Sequence, residues 1–131
     1  MEARELRIGN LVYSYAEWHQ ISCEQVSTVS VVFNNSVILA HGLEVKLNKI
    51  KPIPLTEDWL LKLGFGRCDD HVMSIKCFDE LLIEYDYHFH RCFVVIDTDT
   101  TTDIKWVTHI KHVHQLQNLY FALTGEELKI N

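Results

Sequence analysis

Lys51-Pro-Ile-Pro54 is the feature that most limits how this chain can fold, and it holds the only two prolines. Each proline fixes φ, removes a backbone donor and pushes the preceding residue out of helical space. No central strand and no helix interior can run through the segment. It reads as an extended crossover between two sets of elements.

Before it, residues 6–50 read as short strands. Leu6-Arg-Ile-Gly-Asn-Leu-Val-Tyr13 opens with a Gly-Asn turn signal and then an apolar pair. Val26 to Phe33 and Val37 to Ala40 are β-branched runs parted by Asn34-Asn35, a hairpin pattern. Trp18 to Ser22 supplies a further run. Such a set must curl to hide its edges, so a small barrel-like sheet is expected.

After it, Thr56 reads as an N-cap, with Glu57 and Asp58 in the first turn where the helix dipole favours acid. Trp59, Leu60 and Leu63 form the inward face. Gly64 suits a left-handed stop, and Phe65 can fold back on Leu60 or Leu61. Val72–Phe78, Leu81–Tyr87, His88–Ile96 and Ile104–Thr108 read as a meander, with Asp79-Glu80 a tight turn and residues 97–103 a polar connection. Val113, Leu116, Tyr120 and Leu123 share one helical face up to Gly125, and Glu126-Glu-Leu128 tucks the tail back. The fold class is α+β: a small N-terminal β-barrel-like sheet, a short central helix, and an antiparallel β-meander closed by a C-terminal helix. The expected division is residues 1–50, 51–66 and 67–131, in one compact unit.

Composition removes several functions. The 131 residues carry 12 Lys plus Arg and 18 Asp plus Glu, a formal charge of −6. That balance argues against a general nucleic-acid binder. No apolar run reaches the roughly 18 residues of a membrane span. The charged start, Met1-Glu-Ala-Arg-Glu5, lacks the apolar stretch of a signal peptide. A cytosolic protein is expected. Cys23, Cys68, Cys77 and Cys92 form no C-x-x-C pair and read as free thiols. Cys77 and Cys92 fall in strand-like runs, as small core side chains. No G-x-G-x-x-G, P-loop or G-x-S-x-G is present.

Eight histidines stand out, and five of them, at 88, 90, 109, 112 and 114, lie in two short stretches. Histidine changes charge between about pH 5 and 8 and is a ready zinc ligand. His88, His90 and His109 with Asp97 or Asp103 are the candidate metal set, for zinc or manganese in a metal-dependent hydrolase. The spacing matches no H-E-x-x-H or cysteine–histidine motif, and surface or partly buried residues of a half-exposed sheet account for it better. The Asp97-x-Asp-x-Thr-x-Asp103 run begins like a calcium loop, but Thr102 and Thr108 stand where glycine and glutamate are needed. It reads as a polar hairpin connection.

The candidate binding residues form three groups. Tyr13-Ser-Tyr-Ala-Glu-Trp18 puts three rings in a loop-like stretch, so Tyr13, Tyr15 and Trp18 can stack on a base or anchor a protein. Asp86, His88 and His90 share one strand face, opposite Tyr85, Tyr87 and Phe89, and would present a polar platform. Plain amphipathic alternation gives the same pattern. Gln115 and Asn118 belong to an amide-rich last helix, where glutamate and lysine serve better as helix formers. Those amides bond either a neighbouring backbone or a partner.

Pro52-Ile-Pro-Leu-Thr-Glu-Asp-Trp-Leu-Leu-Lys-Leu-Gly-Phe65 and His112-Val-His-Gln-Leu-Gln-Asn-Leu-Tyr-Phe-Ala-Leu-Thr-Gly-Glu-Glu-Leu128, with Leu6-Arg-Ile-Gly-Asn-Leu-Val12, resemble a family of small proteins carried by phages and prophages of Bacteroidetes. The resemblance implies a mobile-element accessory protein acting in a bacterial cytoplasm, and it carries no catalytic residues with it. The reading that follows is a non-catalytic binding protein without a cofactor. It would act on a host protein or capture a small anionic, nucleotide-type signal, and so counter host defence. A metal-dependent hydrolase and a DNA-binding regulator are the alternatives. Self-pairing through an exposed strand edge is a further expectation.

Overall fold

The proline segment separates two antiparallel sheets. The computed structural model describes residues 1–18 and 21–130, with the side chains of residues 16–23 outside that description. The elements run β1 (Leu11–Trp18), β2 (Ile21–Val32), β3 (Ser36–Leu39), β4 (Glu44–Lys46), β5 (Ile50–Lys51), α1 (Glu57–Lys62), β6 (Gly66–Asp69), β7 (Val72–Phe78), β8 (Leu81–Asp86), β9 (Arg91–Asp97), β10 (Thr102–His109) and α2 (Val113–Thr124). Strand makes up 47% of the chain beside two helices, so α+β holds with the sheets dominant. The sheet orders are β4-β3-β2-β1-β5 and β10-β9-β8-β7-β6. Two compact units result, residues 1–54 with 112–118 and residues 55–111 with 119–131. The division falls after Pro54, and the first turns of α2 return to the first unit.

In the first unit the sheet curls into a half-barrel. Residues 11–18 are strand rather than loop. Their period-2 alternation sends Val12 and Ser14 inward and leaves Tyr13 and Tyr15 only half-buried. β1 is held on both sides, with Tyr13 opposite Val26 on β2 and opposite Lys51 on β5. Val12, Val29, Val37, Leu39, Val45 and Ile50 form the core with Leu6. The Ser14 and Ser27 hydroxyls satisfy each other inside at 2.7 Å. Gly9 takes a left-handed φ of 96°, which lets its N–H reach the Val29 carbonyl at 2.8 Å. The hairpin at Asn34-Asn35 forms as expected, between β2 and β3.

In the second unit α1 forms with the expected ends. The Thr56 hydroxyl accepts from the Trp59 N–H, and Gly64 is left-handed at φ 94°. Phe65 N–H donates to Leu60 and Gly64 N–H to Leu61, the paired bonds of a Schellman stop. Trp59, Leu60 and Leu63 are buried. The meander follows, with the Asp79-Glu80 turn between β7 and β8 and a Thr98–Thr101 loop between β9 and β10. Three points differ: Gly66–Asp69 adds the strand β6, and β10 begins at Thr102 rather than Ile104; the third bears on the candidate site. β8 ends at Asp86 and β9 begins at Arg91, so His88 and His90 lie in the turn between strands. α2 runs Val113–Thr124, Gly125 stops it at φ 72°, and Leu128 is buried in the tail.

Candidate functional site

Tyr13 and Tyr15 lie on the face of β1 opposite Val12 and Ser14. Lys51 on β5 pairs with Tyr13 and extends its ammonium over the Tyr15 ring, 4.9 Å from the centroid. The phenol beside it raises the Lys51 pKa above the ordinary lysine value. Tyr15 also lines an open groove of about 610 Å³. The other walls come from the end of β4 and the helical turn after it, Leu43 to Lys46 with Asn48 and Lys49. Glu44 is engaged there, its carboxylate accepting from the Ser36 hydroxyl at 2.8 Å. The groove therefore joins an aromatic ring to the exposed ammonium groups of Lys46 and Lys49. Sequence reasoning found Tyr15 and missed the lysines. They are ordinary charged residues until a short turn folds them toward β1. The side chain of Trp18 lies outside the described residues.

In the second unit, Asp86 is buried and organises the β8–β9 turn. Its Oδ1 accepts from the His88 and Phe89 N–H groups at 3.0 and 3.2 Å. Its Oδ2 accepts from Arg91 at 3.2 Å and lies 3.6 Å from His71 Nε2. Burial alone would raise the carboxyl pKa. The Phe89 N–H, the Arg91 guanidinium, the His88 N–H and His71 together outweigh it and hold the pKa below 3.8. The Arg91 guanidinium also lies 4.7 Å from the Phe89 ring centroid, and His88 meets that ring edge-on at 4.6 Å. Asp86 is thus a turn anchor rather than one end of a polar strand platform.

His90 is tied down as well. It holds a left-handed φ of 55°, strained for a residue with a Cβ. The Tyr85 hydroxyl donates to the Ile110 carbonyl, leaving its oxygen to accept from His90 Nδ1 at 3.0 Å. The Ile110 N–H returns a bond to the His90 carbonyl at 3.1 Å. Burial raises the Tyr85 hydroxyl far above the ordinary phenol range.

The candidate metal set does not assemble. His109 ends β10, its ring 5.7 Å from Trp106. Asp97 accepts from the Thr102 hydroxyl at 2.9 Å, and Asp103 lies exposed on β10. Among the described residues, no three of His, Cys, Asp and Glu form a metal-holding group. His112 and His114 stack 5.8 Å apart at the start of α2. His114 is buried, and neither ring nitrogen has a hydrogen-bond partner among the described residues. Burial first, then the His112 charge and the N-terminal amine, push its pKa down to about 4 against the opposing pull of Glu5. Cys92 is buried, and its thiol is pushed up to about 12 by burial and by Cys77.

The amides of α2 bind backbone and, at Asn118, the Asn10 side chain as well. Gln115 Oε1 accepts from the His112 N–H at 3.1 Å and caps the helix start. Asn118 and Gln117 reach the segment of residues 5–11. The seven described candidate binding residues therefore separate. Tyr15 lines a groove, Tyr13 shares its face of β1, and Asp86 and His90 hold the fold. His88 is exposed on a turn, and Gln115 and Asn118 fasten α2. No protein-family model, no curated protein and no solved structure matches the chain. No helix of the described residues is long and apolar enough to cross a membrane.

Proposed function

We propose that the protein is a non-catalytic binding protein of a phage or prophage that captures a small anionic, nucleotide-type ligand in the Tyr15 groove. One observation carries the reading: the Tyr15 ring, Lys46 and Lys49 border one groove of about 610 Å³. Ligand sites fall in that size range, with a few polar groups fixing orientation. A base would lie against Tyr15 and its phosphate against the two ammonium groups, which act as mobile point charges. Lys51 holds its ammonium over one face of the Tyr15 ring, 4.9 Å from the centroid, where it could receive a second phosphate. Capture without bond breaking removes the signal from the bacterial cytoplasm, which is how such a protein would counter host defence.

The test is a thermal-shift and calorimetric titration of the full chain with nucleoside monophosphates, cyclic dinucleotides and inorganic phosphate. A bound nucleotide raises the melting temperature by mass action. Tyr15→Ala and Lys49→Glu should each reduce the shift, with Lys49→Glu leaving the unliganded melt unchanged. Absence of any shift at millimolar nucleotide overturns the reading. Conversion of the nucleotide to product in the same tubes would instead support a hydrolase.

A further inference from the structure

We propose that two copies of this chain associate edge to edge through β10, antiparallel, with Ile104 on the two-fold axis. β10 is an outer strand of its sheet, hydrogen-bonded along one side to β9. It is eight residues long, against four, three and two for the edge strands β6, β4 and β5. A long strand edge offers a row of unpaired N–H and C=O groups to another strand. Its side chains are open too: Ile104 is 58% and Trp106 57% exposed. They stand opposite Val95 and Phe93 of β9, extending an apolar strip on one face to the very edge.

Charge selects the partner and the register. Asp103 and Lys105 lie on the other face, two residues apart, and no ion pair engages either one among the described residues. In an antiparallel pair centred on Ile104, Asp103 of each copy faces Lys105 of the other, so two opposite-charge pairs form. Thr102 then faces Trp106, and Ile104 meets its own counterpart. Sliding the centre to Lys105 sets lysine against lysine, and sliding it to Asp103 sets aspartate against aspartate. Side chains keep to their faces only for registers centred on a residue, so these are the neighbouring alternatives. The β9–β10 ladder is regular from Thr102 to Trp106 and shifts beyond it. Ile104 is the centre of that regular stretch. A strand edge carrying one sign of charge would repel a second copy, whereas this one complements itself.

Sedimentation velocity on the full chain across a concentration series tests the pairing. Dimers should form, and Lys105→Asp or Asp103→Lys alone should raise the dissociation constant by about tenfold or more. The double exchange, Asp103→Lys with Lys105→Asp, restores the opposite-charge pairs and should return the constant to within about threefold of the parent. Mixing the two single variants should give a heterodimer, because each supplies the charges the other lacks. Unchanged thermal melts of the monomers would show that the folded state is intact. A monomer at every concentration overturns the proposal. So does a dimer whose constant the single exchanges leave unmoved, or one that the double exchange does not restore.

Discussion

The side-chain amide of Asn10 donates to Oδ1 of Asn118 at 2.8 Å, across 108 residues of chain. Asn118 in turn donates to the Glu5 carbonyl at 3.0 Å. One position earlier, Gln117 accepts from the Leu11 N–H at 2.8 Å and donates to the Gly9 carbonyl at 3.3 Å. The amides of α2 thus fasten a segment, Glu5 to Leu11, that leads into β1 and meets β2 only at its end, through Gly9, Asn10 and Leu11. Glutamate at these positions would put a charge where a buried amide both donates and accepts.

Gln117→Ala should therefore destabilise the protein by about 2 to 3 kcal/mol, because it strands the Leu11 N–H and leaves a void. Asn118→Ala should cost about 1 kcal/mol. Urea unfolding of the two single variants and the double variant would measure both. A Gln117→Ala protein as stable as the parent would show that this docking contributes nothing.

Removing Asp86 frees two turn N–H groups and leaves Arg91 without its carboxylate. Asp86→Ala should cost about 3 kcal/mol. In the parent protein the same stabilisation depends on pH. The folded carboxyl titrates below its ordinary 3.8, so its contribution is complete above that value. It is lost as pH falls through the lowered pKa. Chemical unfolding followed from about pH 5 down to pH 2 should show a loss that Asp86→Ala lacks.

His114 acts in a different window. Its folded pKa is about 4 against 6.5 for a free histidine. Between those values the unfolded chain binds the extra proton, so stability falls as pH falls, by about 3 kcal/mol at most. The charged groups that set this are His112, Glu5 and the N-terminal amine. His114→Leu should flatten stability across that range and leave it no lower at neutral pH. An equally steep profile in the variant would assign the acid sensitivity to other groups.

At the groove, Lys46→Gln or Lys49→Gln should each weaken nucleotide binding by about three- to tenfold, and Tyr15→Ala by about tenfold. The lysine contribution should shrink as salt is raised, since exposed charges are screened. Calorimetry at two ionic strengths separates the lysine share from the tyrosine share.

Sequence alone determined the elements whose cause is local. Pro52 and Pro54 placed the crossover, Thr56 and Gly64 placed both ends of α1, and the i, i+3, i+7 spacing from Val113 placed α2. Each depends on backbone geometry that neighbours in the chain impose. The β8–β9 turn was not legible, since Tyr87-His-Phe-His90 alternates as a strand does. Its turn exists because Asp86 is buried and captures two N–H groups ahead of it. Likewise, the aromatic stretch from Tyr13 became a strand only because β2 and β5 supply its hydrogen bonds. The five clustered histidines were conspicuous in the sequence, yet only tertiary structure decided their roles. One bonds Tyr85, one is buried uncharged, one ends an edge strand, and no metal set forms among the described residues. The groove followed the same rule. Tyr15 was visible as a ring without a neighbour, and the partners that give it a use, Lys46 and Lys49, are contributed by chain thirty residues away through sheet curvature that no local pattern encodes.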